Sequence, residues 1–303
     1  MMTSLPAVLS FVFVSCASCC IGQDQKPVPA LPKSAAAAEG QQLAGDIQAQ
    51  FAKEKIAIDL KAGTVTVPAV VIAPPDAIEY LLIHRKGKKH EALFFTDSKP
   101  SILNAALLLL GLEPGKNATF REKTPPPSLE EIEKGADPIE ITPPAGQEFF
   151  MTVTWKDDQG KPVVHCIEDL VADLTAQAPL ANAQWIFLGG RMAPLYRNEP
   201  EVYVADFEGN IVSLCYLTPD NHLGTMKHER ARDDENWTLT ENVPARGTEV
   251  QFTFHKHKPE LVQQREARLA AEAKLAVPKG PAEAARPSEP QKPSDPQRPD
   301  GGR

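Results

Sequence analysis

The chain has 303 residues, with 29 prolines, five cysteines and a formal net charge of −8. Its 42% hydrophobic content is enough for a globular core, while proline at nearly twice the usual ~5% assigns part of the chain to linker or tail. The acidic balance argues against general nucleic-acid binding, which needs basic groups on phosphates.

The first 22 residues carry no charged side chain, and the apolar run from Leu5 to Ile21 ends abruptly at Gln23-Asp24-Gln25-Lys26. This is a secretory signal with a weak amino-terminal region, and Cys20 and Gly22 permit cleavage before Gln23. A competing reading is lipidation at Cys16 or Cys19, which would make the only membrane link an N-terminal lipid. Residues 23–50, rich in Pro, Ala, Gln and Gly, are expected to be a flexible tether.

The folded domain is expected over 51–255, where 20 Lys/Arg against 30 Asp/Glu give −10. Period-2 patterns predict four antiparallel hairpins. They are 56–60 with 64–72, 78–84 with 90–96, 149–155 with 161–166, and 202–207 with 211–217. Two more strands are expected at 185–188 and 249–254. Ser101–Leu110 is apolar nearly all round and predicts a buried helix, with Asp97 or Ser98 as N-cap and Gly111 as its stop. Glu168–Leu174 is a candidate second, short helix. Residues 113–147, with seven prolines, predict a long surface excursion. The fold class is therefore α+β: a β-rich single domain of antiparallel hairpins with one buried helix, a short second helix and disordered ends.

An exposed or edge-docked helix is expected within 256–278, leading to a disordered proline-rich tail at 279–303. In that tail Pro287, Pro290, Pro293, Pro296 and Pro299 recur every third residue. That is the turn of polyproline II, so Arg286, Glu289, Lys292, Asp295 and Arg298 share a second edge with alternating sign, a self-neutral spacer.

The segments Ile78-Glu79-Tyr80-Leu81-Leu82, Gly87-Lys88-Lys89-His90-Glu91-Ala92-Leu93 and Ala105–Gly111 resemble the YdjY-domain family. These are bacterial proteins of unknown function, with exported versions in planctomycetes. The resemblance continues at Trp185–Gly190 and Tyr203–Ile211 and covers about 55–255. Some relatives are described as ferredoxin-like, which implies a cysteine-held cluster. Past the leader only Cys166 and Cys215 remain, too few for four thiolate ligands, so no iron–sulfur cofactor is carried over and no other is identified.

Glu79, His90, Glu91 and Asp206 are the candidate ligand or metal residues, because a carboxylate or imidazole on a covered hairpin must be paired. The bland alternative is that they satisfy buried backbone groups or bind Lys88 or Arg191. Arg85, Lys86, Lys88 and Lys89 form a basic tip on an acidic domain, either an ordinary solvated turn or a seat for an anionic surface. Cys166 and Cys215 are a disulfide candidate in an oxidising compartment, worth roughly 4 kcal/mol for a loop of about 50 residues. Two separate buried thiols are the other reading.

No phosphate loop, nucleophile elbow, zinc-protease helix or Rossmann fingerprint occurs, and no catalytic residue is assigned. The expected function is an exported binding or assembly domain, periplasmic or envelope-associated, whose partner is a cell-envelope component or a protein. The alternative is a periplasmic metal- or small-ligand-binding protein using Glu79, His90 and Glu91.

Overall fold

The computed structural model describes residues 42, 45–74 and 77–276. The expected leader, most of the tether and the proline repeat lie outside the described residues. Residues 47–53 are helical (α1), so regular structure already covers 47–50, and Phe51 and Ile56 are buried.

In chain order there follow β1 (Ala57–Asp59), β2 (Thr64–Val71), β3 (Tyr80–His84), β4 (Ala92–Thr96) and α2 (Pro100–Leu109). The excursion holds β5 (Thr119–Glu122), α3 (Leu129–Glu133) and β6 (Ile139–Thr142). Next come β7 (Glu148–Lys156), β8 (Pro162–Cys166), β9 (Val171–Asp173), β10 (Ala178–Pro179), β11 (Gln184–Phe187), β12 (Met192–Pro194) and β13 (Glu201–Tyr203). The domain finishes with α4 (Val204–Glu208), β14 (Asn210–Ser213), β15 (Gly224–Lys227), β16 (Trp237–Leu239), β17 (Glu249–His255) and α5 (Glu260–Ala276).

Eight of these strands close on themselves in the order β2-β17-β7-β11-β15-β14-β3-β4, with β4 returning to β2. The domain is thus β-rich with helices, and its sheet is a closed barrel rather than a set of separate hairpins. β1 and β8 are flaps that pair with the outlying parts of β2 and β7. An eight-stranded barrel is narrow enough to be filled by side chains. Alternation supplies them: Val65, Val67, Ala69 and Val71 from β2 and Val250, Phe252 and Phe254 from β17 are all buried. Phe94 meets Phe252 edge-on at 5.8 Å between centroids, and Phe252 and Phe254 are 5.1 Å apart.

The hairpins at 56–72 and 149–166 are present as β1–β2 and β7–β8. Two others are not. β3 and β4 run parallel, Tyr80 opposite Ala92 and Leu82 opposite Phe94, so the 85–91 link returns along the strands instead of turning. The residues explain it. β3 is Tyr-Leu-Leu-Ile and β4 Ala-Leu-Phe-Phe, continuous apolar runs that suit strands covered on both faces, the usual setting of parallel pairing. A second buried cluster of Ile72, Tyr80, Ile83 and Ala92, with Phe95 and Leu217 against it, supplies that second cover.

The expected 202–217 hairpin is also replaced. Val204–Glu208 is helical and ends at Gly209, whose φ of +78° is the left-handed cap that glycine accepts. β14 then pairs with β3 and β15. Glu168–Leu174 is no helix but a 3₁₀ turn (Ile167–Asp169) followed by β9, in which Val171 and Asp173 are buried on alternate positions, Val171 in the core and Asp173 against Arg230 and Asn236.

Helix α2 forms where expected and ends in a Schellman motif, with Leu112 N–H donating to Leu107 O and Gly111 N–H to Leu108 O. Its burial is one-sided: Leu103, Ala106 and Leu107 are covered, Leu108 and Leu109 exposed. Its N-cap is Lys99, and neither Asp97 nor Ser98 caps it. Distant carboxylates do so instead: Glu54 Oε2 accepts from Lys99 N–H (2.8 Å) and Asp206 Oδ1 from Ser101 N–H (2.7 Å).

The 113–147 excursion is exposed along most of its length, as its composition predicts. α5 docks by one edge through Val262 and Arg265. Among the described residues no helix is long and apolar enough to cross a membrane.

Candidate functional site

The parallel pairing of β3 with β4 decides the geometry of the candidate residues. Glu79 and Glu91 lie just before their strands, side by side, and Glu79 N–H donates to Glu91 O at 2.9 Å. The link between the strands brings Lys88 back to them. Its ammonium is 3.2 Å from Glu91 Oε2, 3.8 Å from Glu79 Oε2 and 5.7 Å from the Tyr80 ring centroid.

Burial, and then the neighbouring Glu91 charge, push the Glu79 carboxyl above the usual glutamate range, against the pull of Lys88. Burial pulls Lys88 down, but contact with Glu91 and the charge of Glu79 outweigh it and leave its ammonium above the ordinary lysine value. His90 is largely exposed, with Nε2 3.0 Å from Glu91 Oε1.

Three of the four candidate ligands therefore converge. Asp206 does not. It lies on α4, capping α2 through Ser101 and holding Lys99 Nζ at 3.0 Å. α2 follows the far end of β4, so a five-residue strand of roughly 16 Å separates the two places. Lys88 occupies the position between Glu79 and Glu91 that a bound cation would take, and no cluster of three or more His, Cys, Asp or Glu with metal-holding geometry occurs among the described residues.

The basic loop is not a free tip. Gly87 packs backbone to backbone on Gly209: a Cβ on Gly87 would lie 2.8 Å from Gly209 O, and one on Gly209 would lie 2.6 Å from Gly87 N. His84 N–H donates to Gly209 O at 2.7 Å and Arg85 N–H to Thr96 O at 2.8 Å. Arg85 pairs with Asp97, Nη2 to Oδ2 at 2.7 Å, and its guanidinium lies 4.9 Å from the Phe95 ring centroid. Lys89 Nζ lies 4.8 Å from the same centroid. Arg85 and Lys88 are thus committed to carboxylates, whereas Lys86 and Lys89 have no ion pair among the described residues.

Cys166 and Cys215 are separate buried thiols, the second of the two readings, and the candidate disulfide is not formed. Cys166 ends the β8 flap on β7, while Cys215 follows β14, three strands around the barrel from β7, with Sγ 3.6 Å from Asp233 O. Burial, reinforced by Glu168 and Asp169, pushes Cys166 up to about 12. Burial also raises Cys215 well above the usual thiol range. His165 stacks on Trp155 at 4.6 Å, on the opposite face of β8 from Cys166, so the adjacent pair in sequence does not meet in space.

A family model for the YdjY domain matches residues 56–255, about two thirds of the chain. The chain belongs to the YdjY-domain family. No curated protein and no solved structure matches it. The YdjY match spans all eight barrel strands and every residue of the Glu79–Lys88–Glu91 cluster.

Two features of this YdjY domain had no local signal in the sequence. Glu168 is buried with Oε1 accepting from Trp185 Nε1–H at 2.7 Å, and burial drives its carboxyl above the usual range. Nearby Arg265, itself 7% exposed, donates from Nε to Asp169 Oδ1 and from Nη2 to Leu180 O, both at 2.6 Å, which pins α5 to the barrel. The second feature is a groove of about 500 Å³ lined by Arg246, from the turn before β17, together with Lys89 and His90. Nothing short of the closed barrel brings residue 246 to the same groove as residue 89.

Proposed function

We propose that the chain is an exported binding or assembly domain that works through its surface and not through bond-making chemistry. The observation that carries this reading is the state of its reactive groups. Glu79 and Glu91 are held by Lys88, and both thiols are buried and pushed toward their protonated, non-nucleophilic form. His165, the imidazole nearest to a thiol in sequence, is stacked on Trp155 on the far face of its strand. Export rests on the uncharged apolar stretch from Leu5 to Ile21 and the polar boundary at Gln23.

Expression of the full chain in a bacterial host, followed by fractionation and mass spectrometry of the N-terminus, tests export. A mature chain starting at Gln23 in the periplasmic fraction is expected; a lipid-modified Cys16 or Cys19 would move the assignment to a lipoprotein. An intact chain from Met1 confined to the cytosol would overturn the export reading.

The convergence of Glu79, His90 and Glu91 favours a second reading, a divalent cation that displaces Lys88. Elemental analysis of the purified chain, with melting measured in EDTA and in Zn²⁺, decides it. Stoichiometric metal and a Tm lowered by EDTA would support this reading and count against the first.

A further inference from the structure

The cationic groove beside β4 has a composition that no single segment of the chain carries. Val70 and Ile72, from the end of β2 and just beyond it, and Phe95 of β4 make its apolar wall. Lys89, His90 and Arg246 stand around it, and no carboxylate is among the residues that line it. On a domain of formal charge −10 this is a local reversal of sign. The two cations, Lys89 and Arg246, and the His90 imidazole are exposed at the surface.

The arrangement has two demands. An apolar wall with exposed area gains from covering by hydrocarbon, and clustered cations gain from an anion. A small inorganic anion would satisfy only the second, and a neutral hydrocarbon only the first. Lys89 is directed by its approach to the Phe95 ring, 4.8 Å from the centroid, so its charge is held at the wall itself. Charge and apolar surface therefore meet within one side chain's reach.

We propose that this groove binds an anionic single-chain amphiphile, its carboxylate on Lys89 and Arg246 and its acyl chain along Val70, Ile72 and Phe95. The proposal deepens the binding reading above but does not depend on where the chain resides, so N-terminal processing and ligand binding can fail separately.

The test uses the full chain and three probes below their micelle concentrations: dodecanoate, decanoate and dodecyltrimethylammonium. Saturable 1:1 binding of dodecanoate by calorimetry is expected. Shortening to decanoate should weaken it roughly three- to fifteenfold, the upper figure being full burial of two methylenes. The double variant Lys89→Gln/Arg246→Gln should weaken it roughly two- to thirtyfold, the range for two surface charge pairs. Both side chains are exposed, so the variant is expected to keep the parent's Tm. The exposed Lys61→Gln, at the β1–β2 turn, should bind as the parent does. The proposal is overturned if dodecyltrimethylammonium binds as tightly as dodecanoate, if the double variant binds dodecanoate unchanged, or if no saturable binding occurs.

Discussion

Substituting Gly209 by alanine tests the packing that turns the 85–91 link into a return along β3. Two costs add there. At φ +78° a side chain meets the left-handed penalty of roughly 1–2 kcal/mol. The new Cβ would also lie 2.6 Å from Gly87 N and 2.8 Å from Gly87 Cα, both backbone atoms that move only with the loop, at roughly 1–3 kcal/mol. Loss of unfolded-chain freedom returns about 0.4–1 kcal/mol. The net expectation is a loss of about 2–4 kcal/mol, or roughly 5–15 °C in Tm for a domain of this size. Gly160→Ala is the control, since Gly160 has φ +76° with nothing within 4 Å of its Cβ position, leaving the conformational cost alone, about 0.5–1 kcal/mol after the same offset. Gly87→Ala isolates the other half: its Cβ would lie 2.8 Å from Gly209 O, without a positive-φ penalty, for about 1–2 kcal/mol. Urea unfolding followed by fluorescence of Trp155, Trp185 and Trp237 measures all three. If Gly209→Ala costs no more than Gly160→Ala, the two backbones are not pressed together and the account of the loop is wrong.

Three further outcomes are expected. Glu168→Gln keeps an acceptor for the Trp185 indole and removes a carboxyl whose folded pKa is raised. The native state then holds the proton longer than the unfolded chain, so wild-type stability falls as pH rises through the window above the unfolded value. The glutamine variant should therefore gain on wild type as pH rises above the ordinary glutamate value of 4.5 in urea titrations, and a variant tracking wild type at every pH would contradict the buried carboxyl. Arg265→Ala removes the closer cation from Asp169, leaving Arg268 at 3.7 Å, and the donor from Leu180 O, and should cost roughly 2–4 kcal/mol, with faster amide exchange along α5; exchange changes confined to 167–170 would show that α5 is held otherwise. Neither Cys166 nor Cys215 should react with a thiol reagent in the native chain, and both should react in urea without reductant, whereas a mass 2 Da below the dithiol form would restore the disulfide.

The strand segments were legible because their residues alternate or run apolar without break, and both signals survive without tertiary context. The same apolar runs in Tyr80–Ile83 and Ala92–Phe95 also held the clue to parallel pairing, since a strand apolar on both sides needs cover on both. A link of seven residues with a glycine in third place nevertheless looks like a hairpin turn until Gly209 is known to occupy its inner side. Val204–Glu208 misled for a related reason: a five-residue stretch fits a strand or a helix, and the left-handed Gly209 with its Asp206 contact to α2 settles it as a helix. Leu108 and Leu109 show the limit of composition, because an apolar helix need not be covered on every side.

The amino-acid sequence alone determined the family, the uncharged apolar stretch from Leu5 to Ile21, the proline repeat, two hairpins, α2 and α5. Each of these rests on neighbours in the chain or on a repeat of two, three or 3.6 residues. Only the tertiary structure decided that the strands close into a barrel, that Lys88 and not a distant ligand joins the two glutamates, that Asp206 belongs to the helix cap, and that the cysteines stay apart. Arg246 joined Lys89 for the same reason. Contacts between residues more than a hundred positions apart are set by which strand edges remain to be paired, and that is a property of the whole sheet.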